Sequence, residues 1–168
     1  MRYFLIALVL FTGLLSATEA LKPFNVEKKY FLTYDKNTTC LVRHFKVYKE
    51  PKWIAKIKVR NGKTVYFSSP KSMFEFYFRP GKWYEIGVKS ERDFSEIVVT
   101  DYATLKPINA ETAWYVYGSN ATSPGGDDLV PFDSKEAAET FSKAHNGHRV
   151  MPFDKVSDAL IRLINGRI

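Results

Sequence analysis

The chain has 168 residues, with 25 Lys and Arg against 18 Asp and Glu, a formal charge of +7, three His and one Cys. With 45% hydrophobic and 15% aromatic residues it can bury a core, which excludes a disordered or low-complexity chain. A single cysteine excludes an intrachain disulfide framework and any zinc site built from several cysteines.

Residues 1–20 read as a secretory signal peptide. Arg2 supplies the positive start, 3–15 is uncharged and mostly apolar, and Ser16-Ala17-Thr18-Glu19-Ala20 offers small residues for cleavage after Ala20 or Ala17. The apolar run is short for a helix that must cross about 30 Å of hydrocarbon, so membrane attachment is expected only if the peptide stays uncleaved. No cysteine follows the run, and no lipid anchor is expected. The expected location is the periplasm. Export makes nucleic acid a poor account of the charge. Lys28, Lys29, Lys46, Lys49, Lys52, Lys56, Lys58, Arg60 and Lys63 are also dispersed rather than blocked, as on a solvated strand face.

The first regular element is a hairpin. Residues 53–60 alternate apolar and charged, Asn61-Gly62 makes the turn, and 63–67 returns. Ser68-Ser69-Pro70-Lys71 starts a helix with proline in its first turn. Met73, Phe74, Phe76, Tyr77 and Phe78 follow, and Pro80-Gly81 ends the run. A strand is expected at 94–100, preceded by another at 83–88. The pattern then returns. Residues 113–117 are a strand, 119–128 a loop around Pro124-Gly125-Gly126, and 129–132 a second strand. Asp133-Ser134-Lys135-Glu136 holds an N-cap and a first-turn acid. Ala137, Ala138, Phe141 and Ala144 form a helical stripe closed by Asn146-Gly147. Residues 148–153 are a third strand, and Val156, Ala159, Leu160, Leu163 and Ile164 mark a C-terminal helix.

Laying Phe67 on Phe132 aligns Ser69 with Ser134 and Phe76 with Phe141. The expected fold class is therefore α+β, with tandem β-β-α-β units. The divisions are 1–20 signal peptide, 21–99 first unit with an N-terminal extension, and 100–168 second unit with a C-terminal helix. The boundary lies near 100–107, where no flexible linker is seen, so the halves are expected to pack together.

Few residues can carry chemistry. Cys40 and His44 are four apart, and His145 and His148 are three apart. A thiolate and imidazoles suit Cu(I), Cu(II) or Zn(II), although a lone cysteine is commonly a buried small hydrophobe. There is no Gly-rich phosphate loop, no His-Glu-x-x-His and no G-x-S-x-G. Cys40 with a histidine base lacks any recognisable oxyanion hole, so no enzyme is expected. Two sequons are present. Asp35-Lys36-Asn37-Thr38-Thr39 has an acid two residues before the asparagine, as some bacterial N-glycosylation systems require, and Asn120-Ala121-Thr122 does not.

Lys49-Glu50-Pro51-Lys52-Trp53-Ile54-Ala55-Lys56-Ile57, Asn61-Gly62-Lys63-Thr64-Val65-Tyr66-Phe67 and Lys71-Ser72-Met73-Phe74-Glu75-Phe76-Tyr77-Phe78 together resemble the NosL family. These are copper-binding accessory proteins of nitrous-oxide reductase maturation. Residues 99–108, and 113–119 with 129–132 and 141–147, look like that family's central motif and second half. The resemblance spans roughly residues 40–157.

It implies a NosL-like fold related to organomercurial lyase, copper (as Cu(I)) as the bound metal, and a cuproenzyme or its assembly factors as partner. Lyase chemistry needs more than one cysteine and is not expected. Where the family carries Cys-x-x-Cys-Gly-Met, this chain has Cys40-Leu41-Val42-Arg43-His44-Phe45. Where the family carries Pro-Met-Gly, it has Pro124-Gly125-Gly126. The metal ligands that remain are Cys40, His44, His145 and His148. The expectation is a periplasmic copper-binding accessory protein, and the alternative is a degenerate NosL-like protein-binding module without high-affinity metal binding.

Overall fold

A computed structural model describes residues 28–167; the signal-peptide segment lies outside them. No helix among the described residues is long and apolar enough to cross a membrane. After an N-terminal strap, the chain makes two short 3-10 turns, Val47–Lys49 and Pro51–Trp53, and enters the hairpin of β1 (Ala55–Val59) and β2 (Thr64–Phe67). Gly62 sits at φ +91°, where glycine alone is unstrained. Asn61 fastens the turn by accepting from the Lys63 amide at 3.0 Å and donating to the Ile86 carbonyl at 2.9 Å.

Helix α1 (Pro70–Phe78) follows, capped by Ser69, whose hydroxyl accepts from the Ser72 amide. Its first seven residues are all buried, Lys71 and Glu75 included. A helix enclosed on every side belongs to a core. Strand β3 (Phe94–Thr100) then pairs with the far side of β1, and β4 (Pro107–Asn109) pairs with β3. The first sheet has the order β2-β1-β3-β4.

The second sheet, β6-β5-β7, is built from β5 (Trp114–Ser123), β6 (Gly126–Phe132) and β7 (Arg149–Pro152). Helix α2 (Lys135–Ala144) lies between β6 and β7 in the chain, and α3 (Asp158–Ile164) ends it. Ser134 caps α2 and Ser157 caps α3. The aligned serines 69 and 134 therefore both serve as N-caps, and β1-β2-α1-β3 and β5-β6-α2-β7 share one order. The fold is mixed, with strands and helices alternating along the chain.

Two local expectations change. Residues 83–88 are not a strand, because Pro80–Ile86 forms a kinked 3-10 helix. The segment pairs with neither sheet, and Trp83 instead packs edge-on to Phe76 at 5.7 Å. Most of the expected loop 119–128 is strand, since β5 runs on to Ser123 and β6 begins at Gly126. After an irregularity between Tyr117 and Thr122 the pairing resumes with Thr122 opposite Asp127 and Ser123 opposite Gly126. Ser119-Asn120-Ala121-Thr122-Ser123 carries no apolar alternation, so only the partner strand reveals it as β.

The two sheets share one core. Helix α1 packs on β1 and β2 and also against β6 and α3. Phe74 meets Tyr115 at 5.3 Å and Phe153 at 5.0 Å. The central motif sits at the crossing. Thr100 Oγ1 donates to the Ile54 carbonyl at 2.9 Å, and Asp101 Oδ1 closes its own turn by accepting from the Ala103 and Thr104 amides. Asp101 Oδ2 accepts from the Asp133 amide at 2.7 Å, tying the turn to the end of β6. Tyr102 adds its ring to Trp53, Phe132 and Phe141 in a second apolar cluster.

Candidate functional site

The segment around Cys40 folds into a tight backbone loop. The Cys40 amide donates to the Phe45 carbonyl at 2.8 Å, and the His44 amide donates back to the Cys40 carbonyl at 2.9 Å. The Leu41 amide donates to the Tyr66 carbonyl on β2 at 2.9 Å, which docks the loop on the first sheet. His44 closes the loop at φ +59°, a left-handed conformation. Cys40 is 0% exposed within the main core, and its Sγ accepts the Arg43 N–H at 3.3 Å. Cys40 and His44 do line a common cavity of about 390 Å³ with Thr39 and Tyr66. The imidazole of His44 is exposed, whereas the thiol faces inward.

Arg43 takes the place the resemblance assigns to a second cysteine, and its guanidinium is committed elsewhere. Nη2 donates to Asn165 Oδ1 and lies 3.6 Å from Glu75 Oε2. Glu75 is only 4% exposed and gathers three cations, Arg43, Arg167 and Lys82, while Asn165 Nδ2 donates to it at 3.1 Å. A buried carboxylate is stable only when so surrounded. The network clasps the segment beyond α3 onto α1.

Gly125 stands where the resemblance puts a methionine. A Cβ built there would lie 3.9 Å from Arg43 Nε and 3.8 Å from Lys71 Cε. The two positions that the resemblance assigns to a second cysteine and a methionine are thus spatial neighbours, and cations border both. Lys71 is almost wholly buried and its ammonium donates to the Gly125 carbonyl at 2.8 Å. Burial pushes that ammonium below the usual lysine range, and the charge of Asp128 opposes the shift. Asp128 is 2% exposed; its Oδ1 accepts from the Lys71 amide at 2.7 Å and the Leu129 amide at 2.9 Å. Its Oδ2 has no hydrogen-bond partner among the described residues, and burial holds the carboxyl above its usual range, opposed by Ser69, the Leu129 amide, Ser123 and the Lys71 charge.

That displacement has a measurable consequence. A carboxyl raised on folding makes the folded state hold the proton more tightly than the unfolded chain does. Its contribution is therefore favourable at low pH and is lost as pH rises from the unfolded carboxylate value through the folded one. Asp128→Asn keeps an oxygen for both backbone amides and removes the charge. We expect it to flatten the pH dependence of stability and to equal or exceed the parent at pH 8. The gap should open by about 1.4 kcal/mol for each pH unit that the window spans. Urea midpoints at pH 5 and pH 8 measure it. A variant less stable than the parent at pH 8 by more than at pH 5 would show that Lys71 makes the carboxylate favourable.

His145 and His148 belong to the α2–β7 corner. His145 stacks on Phe141 at 4.1 Å and its Nδ1 lies 3.1 Å from Asn120 Oδ1. His148 lies over Gly118, where a Cβ would come within 2.7 Å of its ring. Among the described residues, no three His, Cys, Asp or Glu side chains come together in a group able to hold a metal ion. Sequence reasoning missed Glu75, Lys71 and Asp128. The available signal was a lone acid inside Met73-Phe74-Glu75-Phe76-Tyr77-Phe78, where a charge has no solvent-facing position to occupy.

A sequence profile of NosL matches residues 31–161. The chain belongs to the NosL family. Among solved structures, the crystal structure of the copper chaperone NosL from Shewanella denitrificans matches with a TM-score of 0.67 at 22% identity, covering 79% of this chain and 99% of that one. The solution structure of apo-NosL from Achromobacter cycloclastes matches with a TM-score of 0.46 at 24% identity, over 64% of this chain and 87% of that one. No curated protein sequence matches. The first likeness establishes that this chain has the NosL fold. Within the NosL family it is a divergent member. Among the described residues its single cysteine is buried.

Proposed function

We propose that this NosL-family protein is exported to the periplasm and works there as a protein-binding accessory module. It would serve the maturation of nitrous-oxide reductase or another cuproenzyme without capturing copper at high affinity. The observation that carries the proposal is the direction of two side chains. The one thiol is buried and accepts a backbone N–H, and the guanidinium of Arg43, three residues on, is bonded to Glu75 and Asn165. Cu(I) needs two or more soft donors aimed at one point. Here Arg43 and Gly125 offer no soft donor. The residues present do not fit a buried Cu(I) ion. What the fold retains is a rigid surface with a dispersed positive charge, suited to an acidic face of a protein partner.

Titration with Cu(I) against a chromophoric competitor, run on the parent and on Cys40→Ala, separates this reading from the copper carrier. We expect no retention at micromolar metal and no difference between the two chains. We also expect the unmetallated chain to co-purify with a maturation partner. One equivalent of Cu(I) held at micromolar affinity or tighter, and lost in Cys40→Ala, would overturn the proposal. It would make Cys40 the thiolate ligand and His44 its helper, with His145 and His148 as further donors.

A further inference from the structure

We propose that Asn37 is an N-glycosylation acceptor and that Asn120, in the other sequon, is not. The inference rests on the reading that the chain is exported.

Both asparagines are exposed, but their surroundings differ. Asn37 lies on a turn built by Asp35, whose Oδ1 accepts from the Asn37 amide at 2.9 Å, the Thr38 amide at 2.8 Å and Thr38 Oγ1 at 2.8 Å. Asp35, Lys36 and Thr39 are exposed with it. The main-chain carbonyl of Asn37 accepts from Lys46 Nζ at 3.0 Å. Its side-chain amide makes no hydrogen bond among the described residues, so a sugar on Nδ2 displaces only water. Hydrogen bonds from Thr38 and Asn37 keep the Asp35 carboxyl below its usual range. A fixed negative charge therefore stands two residues before the acceptor at neutral pH, available to a cationic group on a transferase.

Asn120 is held inside β5. Its amide donates to the His145 carbonyl at 2.9 Å, and its side-chain oxygen lies 3.1 Å from His145 Nδ1. Thr122, the hydroxyl residue of that sequon, is paired with Asp127. Gly118 stands where the acid would be, at φ +76° and against His148. The asparagine is thus held by its backbone and its side-chain oxygen against the α2–β7 corner, and it is not free to turn its Nδ2 into a transferase as a loop residue is.

The donor is an oligosaccharide on a polyprenyl diphosphate. Asn37 Nδ2 forms a bond to the anomeric carbon as that carbon's bond to the diphosphate oxygen breaks. The lipid diphosphate leaves with the electron pair, and Nδ2 loses one proton. Such a glycan is bulky and solubilising and needs a surface loop. It would stand beside the cavity that Thr38 and Thr39 line with His44.

The test expresses the full chain in a bacterial host that carries a periplasmic oligosaccharyltransferase requiring an acidic residue two before the asparagine, together with its lipid-linked oligosaccharide. Intact mass is read with a host lacking the transferase as control. The expected result is one glycan increment on a chain cleaved in the 17–20 region. Asn37→Gln and Asp35→Asn should abolish it, and Asn120→Gln should leave it unchanged. Asp35→Asn keeps a carbonyl oxygen where Oδ1 accepts, so the turn persists and only the charge is lost. An exported, cleaved chain of unshifted mass overturns the proposal, as does an increment that follows Asn120. A chain that retains residues 1–20 in the cytoplasm overturns it through the export reading, and the mass distinguishes that failure from the others.

Discussion

Replacing Glu75 with leucine should destabilise the protein by roughly 3 kcal/mol, because it removes the one anion that three cations share. Glu75 is 4% exposed, and Arg43, Arg167 and Lys82 converge on it together with Asn165 Nδ2. Once the carboxylate is gone, Arg43 keeps a buried Nε that already lacks a partner and loses its counter-ion. The three cations are each partly open to water, so rehydration limits the loss and keeps it at the lower end of what breaking a buried pair costs. Glu75→Gln should lose less, since an amide oxygen can still accept from Arg43 and Arg167. The network also fastens residues 165–167 to α1, so limited proteolysis should release the C-terminal segment faster in Glu75→Leu. Urea unfolding followed by tryptophan fluorescence measures the first effect. A Glu75→Leu chain as stable as the parent would show that the cluster only tolerates its charges.

Phe74→Ala should be the most damaging single core change, at about 3–5 kcal/mol. Phe74 is fully buried on α1, stacked on Phe78 at 5.9 Å and in contact with Tyr115 of β5 and Phe153 beyond β7. The cavity it leaves is walled by both sheets, so neither can collapse into it alone. For that reason we expect a single cooperative transition in parent and variant, with circular dichroism and fluorescence coinciding. Two separated transitions, with only the first moved by Phe74→Ala, would instead mean that the segments before and after residue 100 unfold as independent units. Phe74→Leu, which restores most of the volume, should recover much of the loss.

Most of the fold was legible because its signals are local. Asn61-Gly62 between alternating residues marks the hairpin turn, which closes as the three-residue loop Arg60-Asn61-Gly62 between Val59 and Lys63 with Gly62 in the left-handed region. Ser69-Pro70 and Ser134 specify helix starts because a side-chain oxygen can reach only the amides of the next turn. The matching of Phe67 with Phe132 and Phe76 with Phe141 carried the repeated element order. The errors came where an element depends on a distant partner. Residues 83–88 have strand-like composition, but they pair with no strand, and Pro80–Ile86 turns into a 3-10 helix that sets Trp83 against Phe76. Residues 119–123 are polar and read as loop, yet β6 supplies a ladder for their last two positions. Of the stripe expected in and before α3, Val156, Leu160 and Ile164 do pack on the core, Ala159 and Leu163 are exposed, and the most buried residue is Ile161, which the stripe omits. A seven-residue helix is too short for periodicity to fix which face turns inward.

The single cysteine and the +7 charge were both visible in composition, and they come out differently. By itself the sequence determined the family and the element order, and through the resemblance it implied a change of ligand types at positions 43, 45 and 125, since each of these is a matter of residue identity along the chain. The tertiary structure alone decided how the residues there are used. It brings Gly125 next to both Arg43 and Lys71 across more than 50 residues of chain, buries the Cys40 thiol, and turns Arg43 onto a carboxylate from the middle of α1. Such convergence depends on how two sheets pack around one helix, and no local preference of the backbone encodes it.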